Sequence, residues 1–293
     1  MTRSGVVCAA GGCAMASVGV GSGGRRLLEA CVSVAGSGEE QQAAVSSWLA
    51  ASGRDAGTIS GVLDPADYEL MQVEAPDVLP AELKAAVRWR LKDVIGFPLE
   101  DAVVDVFDMP EPARRNGANK MIYAIAAKRQ AIARQAALLK GGGGRFDVID
   151  IPELALCNLA ALLPEAAEGL ILLWLDEHAA QVLVLRKATL YLVRRVQFAD
   201  AGRPNVEAIA LELQRSMDYF ERHYDLAPLR HLIIAPSDAR AARIGQALAK
   251  ETSLRIQSLD LRRALDLAAG VEPSDRLSLL AIGAALRDDQ LQL

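Results

Sequence analysis

The sequence is poor in the residues that most often carry chemistry. It has three histidines, four cysteines and only 4% aromatic residues. None of Cys8, Cys13, Cys31 and Cys157 forms a CxxC pair, and no histidine lies close to them in the chain. Zinc needs about four soft ligands at short spacings, so no metal site is expected. Scattered cysteines fit a reducing compartment, where the thiol packs as a small hydrophobe. Basic charge is not in excess either. The net charge is -5 and the pI about 5.4, which argues against nucleic acid as a partner, because phosphates require a basic face. Long apolar runs are missing too: no segment approaches the ~20 apolar residues of a membrane helix. The uncharged stretch 4–24 contains seven glycines and no Leu, Ile or Phe. It reads as a glycine-rich β-hairpin, although Ala14-Met15-Ala16 mimics a signal-peptidase site. Any membrane location would come through a partner.

What is present suffices for a large core. The 293 residues are 52% hydrophobic, which suggests two lobes. Strands are predicted at 5–8, 14–20 and 27–34, a helix at 39–52 with Trp48 and Leu49 inward, and a strand at 58–63. A second unit follows: strand 68–73, helix 80–94, strands 103–107 and 120–127 joined by a loop over 110–119, and helix 129–140. The glycines 141–144 end that helix; they lack the GxGxxG spacing of a phosphate cradle. Strand 146–151 leads into a helix to Leu163 with Pro152 in its first turn. The opening order then repeats. Strands 170–175, 181–186 and 189–196 precede a helix capped by Asn205 and running to Tyr224. Ile209, Leu213, Met217, Phe220 and Tyr224 make one buried stripe along it. Strands 232–235 and 254–258 flank helix 238–250, and Ser274 caps a last helix to Leu286. The strand–strand–strand–helix–strand–helix order occurs twice, an internal duplication.

Four segments carry a family likeness: LPAELKAAVRWRLKDVIGFPLEDAVVDVFD (79–108), NKMIYAIAAKRQ (119–130), FDVIDIPELALCNLAALLP (146–164) and LELQRSMDYFERHYD (211–225). They resemble the PilM family of type IV pilus biogenesis proteins, and within it the members from mannose-sensitive haemagglutinin (MSHA) pilus systems. The resemblance implies an α/β, actin-like (ASKHA/ribonuclease H-like) two-lobe fold with an inserted small α+β subdomain, as in PilM and its relative FtsA. It divides the chain into a first lobe over 1–64, the insertion over 65–145, a return segment over 146–166 and a second lobe over 167–273. A C-terminal helix over 274–293 would pack back on the lobes. It also implies a cytoplasmic scaffold at the inner-membrane face. Such a scaffold docks the N-terminal tail of a PilN-like bitopic protein in a cleft between main lobe and insertion, and contacts a pilus motor ATPase. The rival reading is a nucleotide-binding switch or weak ATPase of the same fold. An FtsA-like membrane-anchored filament protein fits less well, because LRDDQLQL is too short and acidic for an amphipathic anchor.

An actin-like nucleotide site would draw on two strand–turn–strand loops with an Asp-x-Gly pattern and on a third, glycine-rich turn. The first loop here is VVCAAGGCAMAS, with Ala9 or Ala10 in place of the carboxylate. The second is LILLWLDEHAAQVLVL, with Trp174 where Asp is expected and Asp176 where Gly is expected. The third has Ala235-Pro236 for Gly-Gly, and proline donates no N–H. Asp176 and Glu177 read as displaced metal ligands or, more simply, as the polar tip of a turn. The expectation is a non-enzymatic protein with no catalytic or metal residues and no cofactor. One helix attracts attention for a different reason. Leu83, Val87, Leu91 and Val94 form one apolar stripe on helix 80–94, and Trp89 lies opposite, flanked by Arg88 and Lys92. Trp89 either packs against the main lobe or lines a groove, so Arg88, Trp89 and Lys92 are the candidate partner-binding residues.

Overall fold

The computed structural model describes residues 2–51, 58–113, 120–140, 145–199, 204–273 and 275–287. The chain opens on an antiparallel meander of β1 (Arg3–Ala9), β2 (Gly12–Val20) and β3 (Arg26–Ala35). Ala10 and Gly11 turn β1 into β2, with Gly11 at φ +90°, where a side chain would be strained. Helix α1 (Glu39–Ala51) covers one face through Val45 and Leu49, with Trp48 half-buried beside them. β4 (Thr58–Val62) then pairs with β1 in parallel. At that point the chain leaves the sheet. β5 (Tyr68–Glu74), α2 (Leu83–Arg90), β6 (Ala102–Asp108), β7 (Met121–Lys128) and α3 (Arg129–Lys140) follow. Their strands form a separate antiparallel sheet in the order β5-β7-β6. β8 (Arg145–Asp150) rejoins the first sheet beside β4, and α4 (Pro152–Ala160) leads onward.

The second half repeats the plan. β9 (Leu170–Leu175), β10 (Ala179–Arg186) and β11 (Thr189–Gln197) form a meander, α5 (Val206–Tyr224) crosses it, and β12 (His231–Ala235), α6 (Ala239–Glu251) and β13 (Arg255–Ser258) complete the sheet. The order β11-β10-β9-β12-β13 mirrors β3-β2-β1-β4-β8 of the first sheet. Alternation along β9 serves two cores. Ile171, Leu173 and Leu175 face α5 and α6, whereas Leu170, Leu172 and Trp174 face the centre of the molecule. The stripe on α5 is buried as its spacing predicts, with Met217 partly covered, and Asn205 Oδ1 accepts from Ala208 N at 3.0 Å.

The chain then passes through α7 (Leu261–Ala264) and β14 (Asp266–Leu267) to α8 (Arg276–Ala285). α8 explains one of the N-terminal glycines, Gly5. The helix lies so close to β1 that a Cβ on Gly5 would stand 1.9 Å from Ala281 O, and so close to α4 that one on Gly283 would stand 2.1 Å from Ala155 O. Small residues there are a packing requirement.

Several sequence expectations need correction. The helix expected over 80–94 starts as a 3-10 turn at Pro80–Glu82 and is regular only over α2. The chain turns after Arg90, so Val87 and Leu91 are buried while Val94 is 62% exposed. Residues 266–267 were assigned to the second lobe, yet they pair with Leu27 and Leu28 at the edge of the first sheet. The last helix is capped by Asp275, whose Oδ1 accepts from Ser278 N at 3.0 Å; the expected cap, Ser274, lies outside the described residues. The glycine stop over 141–144 and most of the 110–119 loop also lie outside them. No helix among the described residues is long and apolar enough to cross a membrane.

Candidate functional site

Two regions compete for the role of site. The first is the set of three turns that the sequence pattern assigns to nucleotide. At the β1–β2 turn, Gln41 Nε2 reaches the carbonyls of Ala9, Gly12 and Gly36 at 2.9, 3.2 and 2.9 Å, and Gly36 N donates to Gly11 O at 3.1 Å. At the β9–β10 turn, the Asp176 carboxylate forms an ion pair with Arg276, the first residue of α8. Arg240, in the first turn of α6, donates to Asp176 O at 2.8 Å and to Leu175 O at 3.3 Å. Trp174 lies inside β9, 3% exposed, packed in the central core. At the third turn Pro236 brings no N–H, and Asp238 is spent capping α6 through Ala241 N at 2.7 Å. Magnesium nucleotide needs N–H donors and a carboxylate for the ion; the first turn has no carboxylate, that of the second is ion-paired and the third has a proline nitrogen, so these residues fit it poorly. Asp176 is an ion-pair partner, and no three His, Cys, Asp or Glu side chains converge as a metal site among the described residues.

The second region is a cleft of about 390 Å³ where the β5-β7-β6 sheet meets the rest of the molecule. Pro80, Leu83 and Lys84 line it from the start of α2, and Val106, Phe107, Asp108 and Ile122 from β6 and β7. Leu154, Cys157 and Asn158 of α4 form its floor, with Ala188, Thr189 and Leu190 of the β10–β11 turn opposite. Phe107 stacks on Tyr123 with ring centres 4.9 Å apart, which fixes this wall. Burial pushes the Cys157 thiol up to about 12, so it is an inert hydrophobe and not a nucleophile. Arg287, just after α8, closes the deep end. Its guanidinium lies 3.0 Å from Asp150 Oδ2, with side chains 13% and 1% exposed. Burial raises the Asp150 pKa, and Arg287 and the Ile151 N–H oppose that shift.

Beside the cleft, a second cavity of about 350 Å³ exposes a polar joint. Tyr68 at the start of β5 donates to Glu153 Oε2 at 2.5 Å, and Gln181 of β10 donates to Glu153 Oε1 at 3.0 Å. One carboxylate on α4 thus ties the inserted sheet to the second sheet. Its pKa is raised by burial, against the hydrogen bond from Tyr68.

The candidates from sequence sit on the far side of α2. Trp89 is 71% exposed and projects ~120–140° around the helix from Leu83 and Lys84. It does not pack on the main body. Arg88 is turned inward, donating to Leu99 O at 2.6 Å and Ala102 O at 3.3 Å, and Lys92 is exposed. None of the three lines the cleft. Sequence reasoning missed the cleft residues because Leu83, Leu154, Cys157 and Leu190 look like ordinary core positions. The usable signal was segmental: 79–108 and 146–164, two of the segments with the family likeness, supply two of its walls.

No family model matches the chain, and no curated protein matches it in sequence. Solved structures do resemble it. The PilM–PilN type IV pilus biogenesis complex matches with a TM-score of 0.68 at 17% identity, covering 97% of each chain. The cytoplasmic domain of EpsL, an inner-membrane component of the Vibrio cholerae type II secretion system, matches at 0.54 and 15% identity over 98% of this chain and 95% of that one. A Bacteroides thetaiotaomicron protein with an actin-like ATPase fold matches at 0.50 and 7% identity, covering 90% and 92%. At such identities the likeness speaks to architecture. The chain has the actin-like fold, built as two sheets of matching strand order with a small sheet set between β4 and β8.

Proposed function

We propose that this chain is a PilM-like scaffold of a type IV pilus assembly machine, of the MSHA kind represented by MshI, and that it works without ATP hydrolysis. It docks the N-terminal tail of a PilN-like inner-membrane protein in the cleft between α2, β6 and α4, and so sits at the cytoplasmic face of the membrane through that partner. The observation that carries the reading is the contrast between an open apolar cleft and turns whose polar groups are already engaged. The family likeness of the segments lining the cleft adds to it. Trp89, with Lys92 and Arg88 on the same helix, is proposed as an outer contact for a further component such as the motor ATPase.

Calorimetry tests both halves. A synthetic peptide of the PilN-like tail should bind with about micromolar affinity, since a few buried anchors dominate such contacts. MgATP should give no comparable heat. Micromolar MgATP binding would instead favour the nucleotide-switch reading of the same fold, and a tail that fails to bind would remove the docking assignment.

A further inference from the structure

β6 is an edge strand, and its free side faces the cleft. Among the described residues only β7 pairs with it. In an antiparallel ladder, alternate residues point both N–H and C=O away from the partner strand. Two contacts set the phase. Ala102 O accepts from Arg88 Nη1 at 3.3 Å and from Arg129 Nη2 at 3.4 Å, and Val106 N donates to its neighbour Asp105 Oδ1 at 2.8 Å. The opposite edge agrees, with Glu74 O of β5 accepting from Arg90 Nη1 at 3.0 Å. The outward residues of β6 are therefore Ala102, Val104, Val106 and Asp108. Arginines cap the start of this edge. Its second half ends in the cleft, where Val106 N–H is covered only by a side chain that can swing away.

The charges around the cleft say what fits there. Lys84 pairs with Asp105 at 2.6 Å, Lys120 with Asp108 at 2.7 Å and Arg287 with Asp150 at 3.0 Å. Among the described residues, these three cations at the cleft are each matched by an acid of the same chain. A charged occupant would gain little, whereas an uncharged one covers the partly exposed Leu83 and Leu154 and packs against Phe107, Ile122 and Leu190 without breaking an ion pair.

We propose that the partner's tail adds to β6 as a fourth strand of the inserted sheet, an uncharged extended segment whose backbone pairs with Val104–Asp108 and whose alternate apolar side chains enter the cleft. This rests on the tail-docking reading above. Asp105 acts as a plug: its Oδ1 accepts from both Val106 N and Lys84 Nζ while the edge is free, and it keeps Lys84 alone when the incoming carbonyl takes that N–H. Such pairing gives affinity through main-chain bonds and selectivity through every second side chain.

The test is a fluorescence anisotropy titration of a labelled synthetic peptide of the PilN-like tail, with single backbone N-methylations scanned along it. Alternate N-methyl groups should weaken binding by about tenfold or more, with a period of two residues. Val106→Pro removes the outward N–H at a position where an edge strand tolerates proline, and should match that loss in binding; because Val106 is a core side chain, its stability is compared with that of Val106→Ala, which loses the same packing. Val106→Ala keeps the N–H and should lose less. Asp105→Ala should tighten binding, because the N–H no longer has to leave its plug. An N-methyl scan without periodicity, or Val106→Pro binding no worse than Val106→Ala, overturns strand addition and leaves tail docking intact. Failure of the tail to bind the wild-type protein overturns both. Self-association abolished by Val106→Pro would assign the edge to a second copy of this chain and also overturn the proposal.

Discussion

Two regions of this molecule are built from opposite materials. Around the β9–β10 turn, polar groups are plentiful and already engaged, Asp176 by Arg276 and the backbone by Arg240. Beneath the inserted sheet, the walls are apolar and the space is open, with charge confined to paired ions at its margin. A polar site that binds an anion must leave donors unsatisfied until the ligand arrives. An apolar cleft that binds a chain segment must leave surface uncovered. At the turns expected to hold nucleotide, the Asp176 carboxylate and several carbonyls are engaged by the protein's own side chains, although cavities of about 680 and 430 Å³ lie beside the first and third turns; the cleft beneath the insertion is open and apolar. α8 takes part in both, since Arg276 begins it and Arg287 follows its end.

Variants that displace α8 should have the largest effect. Gly283→Val places carbon against Ala155 O, where a Cβ already falls at 2.1 Å, and neither backbone can retreat. A loss of about 3 kcal/mol or more is expected, seen as a large fall in the urea midpoint or in soluble yield. Arg287→Ala comes next. It leaves Asp150 buried and unpaired, so about 3 kcal/mol should be lost at neutral pH, with partial recovery in acid as the carboxyl takes up a proton. If Arg287→Ala were as stable as wild type, the deep end of the cleft would not depend on this pair.

Arg276→Ala breaks a half-exposed pair and should cost only about 1 kcal/mol. It sharpens the comparison through a second measurement. MgATP should still fail to bind, because Gln41 continues to hold the first turn and Pro236 still lacks a donor. Micromolar binding in this variant would mean that one ion pair alone keeps the region closed. Glu153→Gln tests the polar joint with an effect of opposite sign. The Glu153 pKa is raised in the folded state, mainly by burial. The native protein therefore holds that proton over a window in which the unfolded chain has lost it, and stability falls as pH rises through the window. Glutamine cannot titrate. The variant should gain on the wild type as pH rises above the ordinary glutamate range of about 4.3, read in paired thermal melts.

Much of the fold was legible because local signals and packing agreed. The α5 stripe, the Asn205 cap and the duplicated strand order each came from periodicity or turn chemistry, and each stands in the structure. The edge strand β14 was not legible, since two residues carry no period and its pairing depends on where the chain returns. The N-terminal glycines read as hairpin sequence and form one, but the reason for Gly5 lies in the position of α8. Of the candidate site, the substituted turns were visible in the sequence, but not the arginines that reach Asp176. Arg240 and Arg276 are far from Asp176 in sequence. Val94 was misplaced for a local reason: the helical stripe was continued past Arg90, where the chain turns.

The smallest expected effect on stability belongs to the residue that stood out most in the sequence. Trp89 is 71% exposed, and the stripe that holds α2 in place runs through Val87 and Leu91 on the other face. Arg88, not Trp89, pins the helix to Leu99 and Ala102. Trp89→Ala should therefore shift folding stability by no more than about 0.5 kcal/mol, as for other surface positions. An indole left in solvent costs hydration free energy that a partner could recover, so the same variant should lose affinity for whatever covers this face. Two partners are distinguished by that loss. If Trp89 serves a component other than the tail, tail binding by anisotropy stays within about twofold while assembly with the motor ATPase weakens. If the tail wraps around α2 from the cleft, its affinity falls with Trp89→Ala by 1–3 kcal/mol, roughly ten- to hundredfold. A melting temperature that falls by several degrees would show instead that Trp89 supports the helix, and would remove it from the interface.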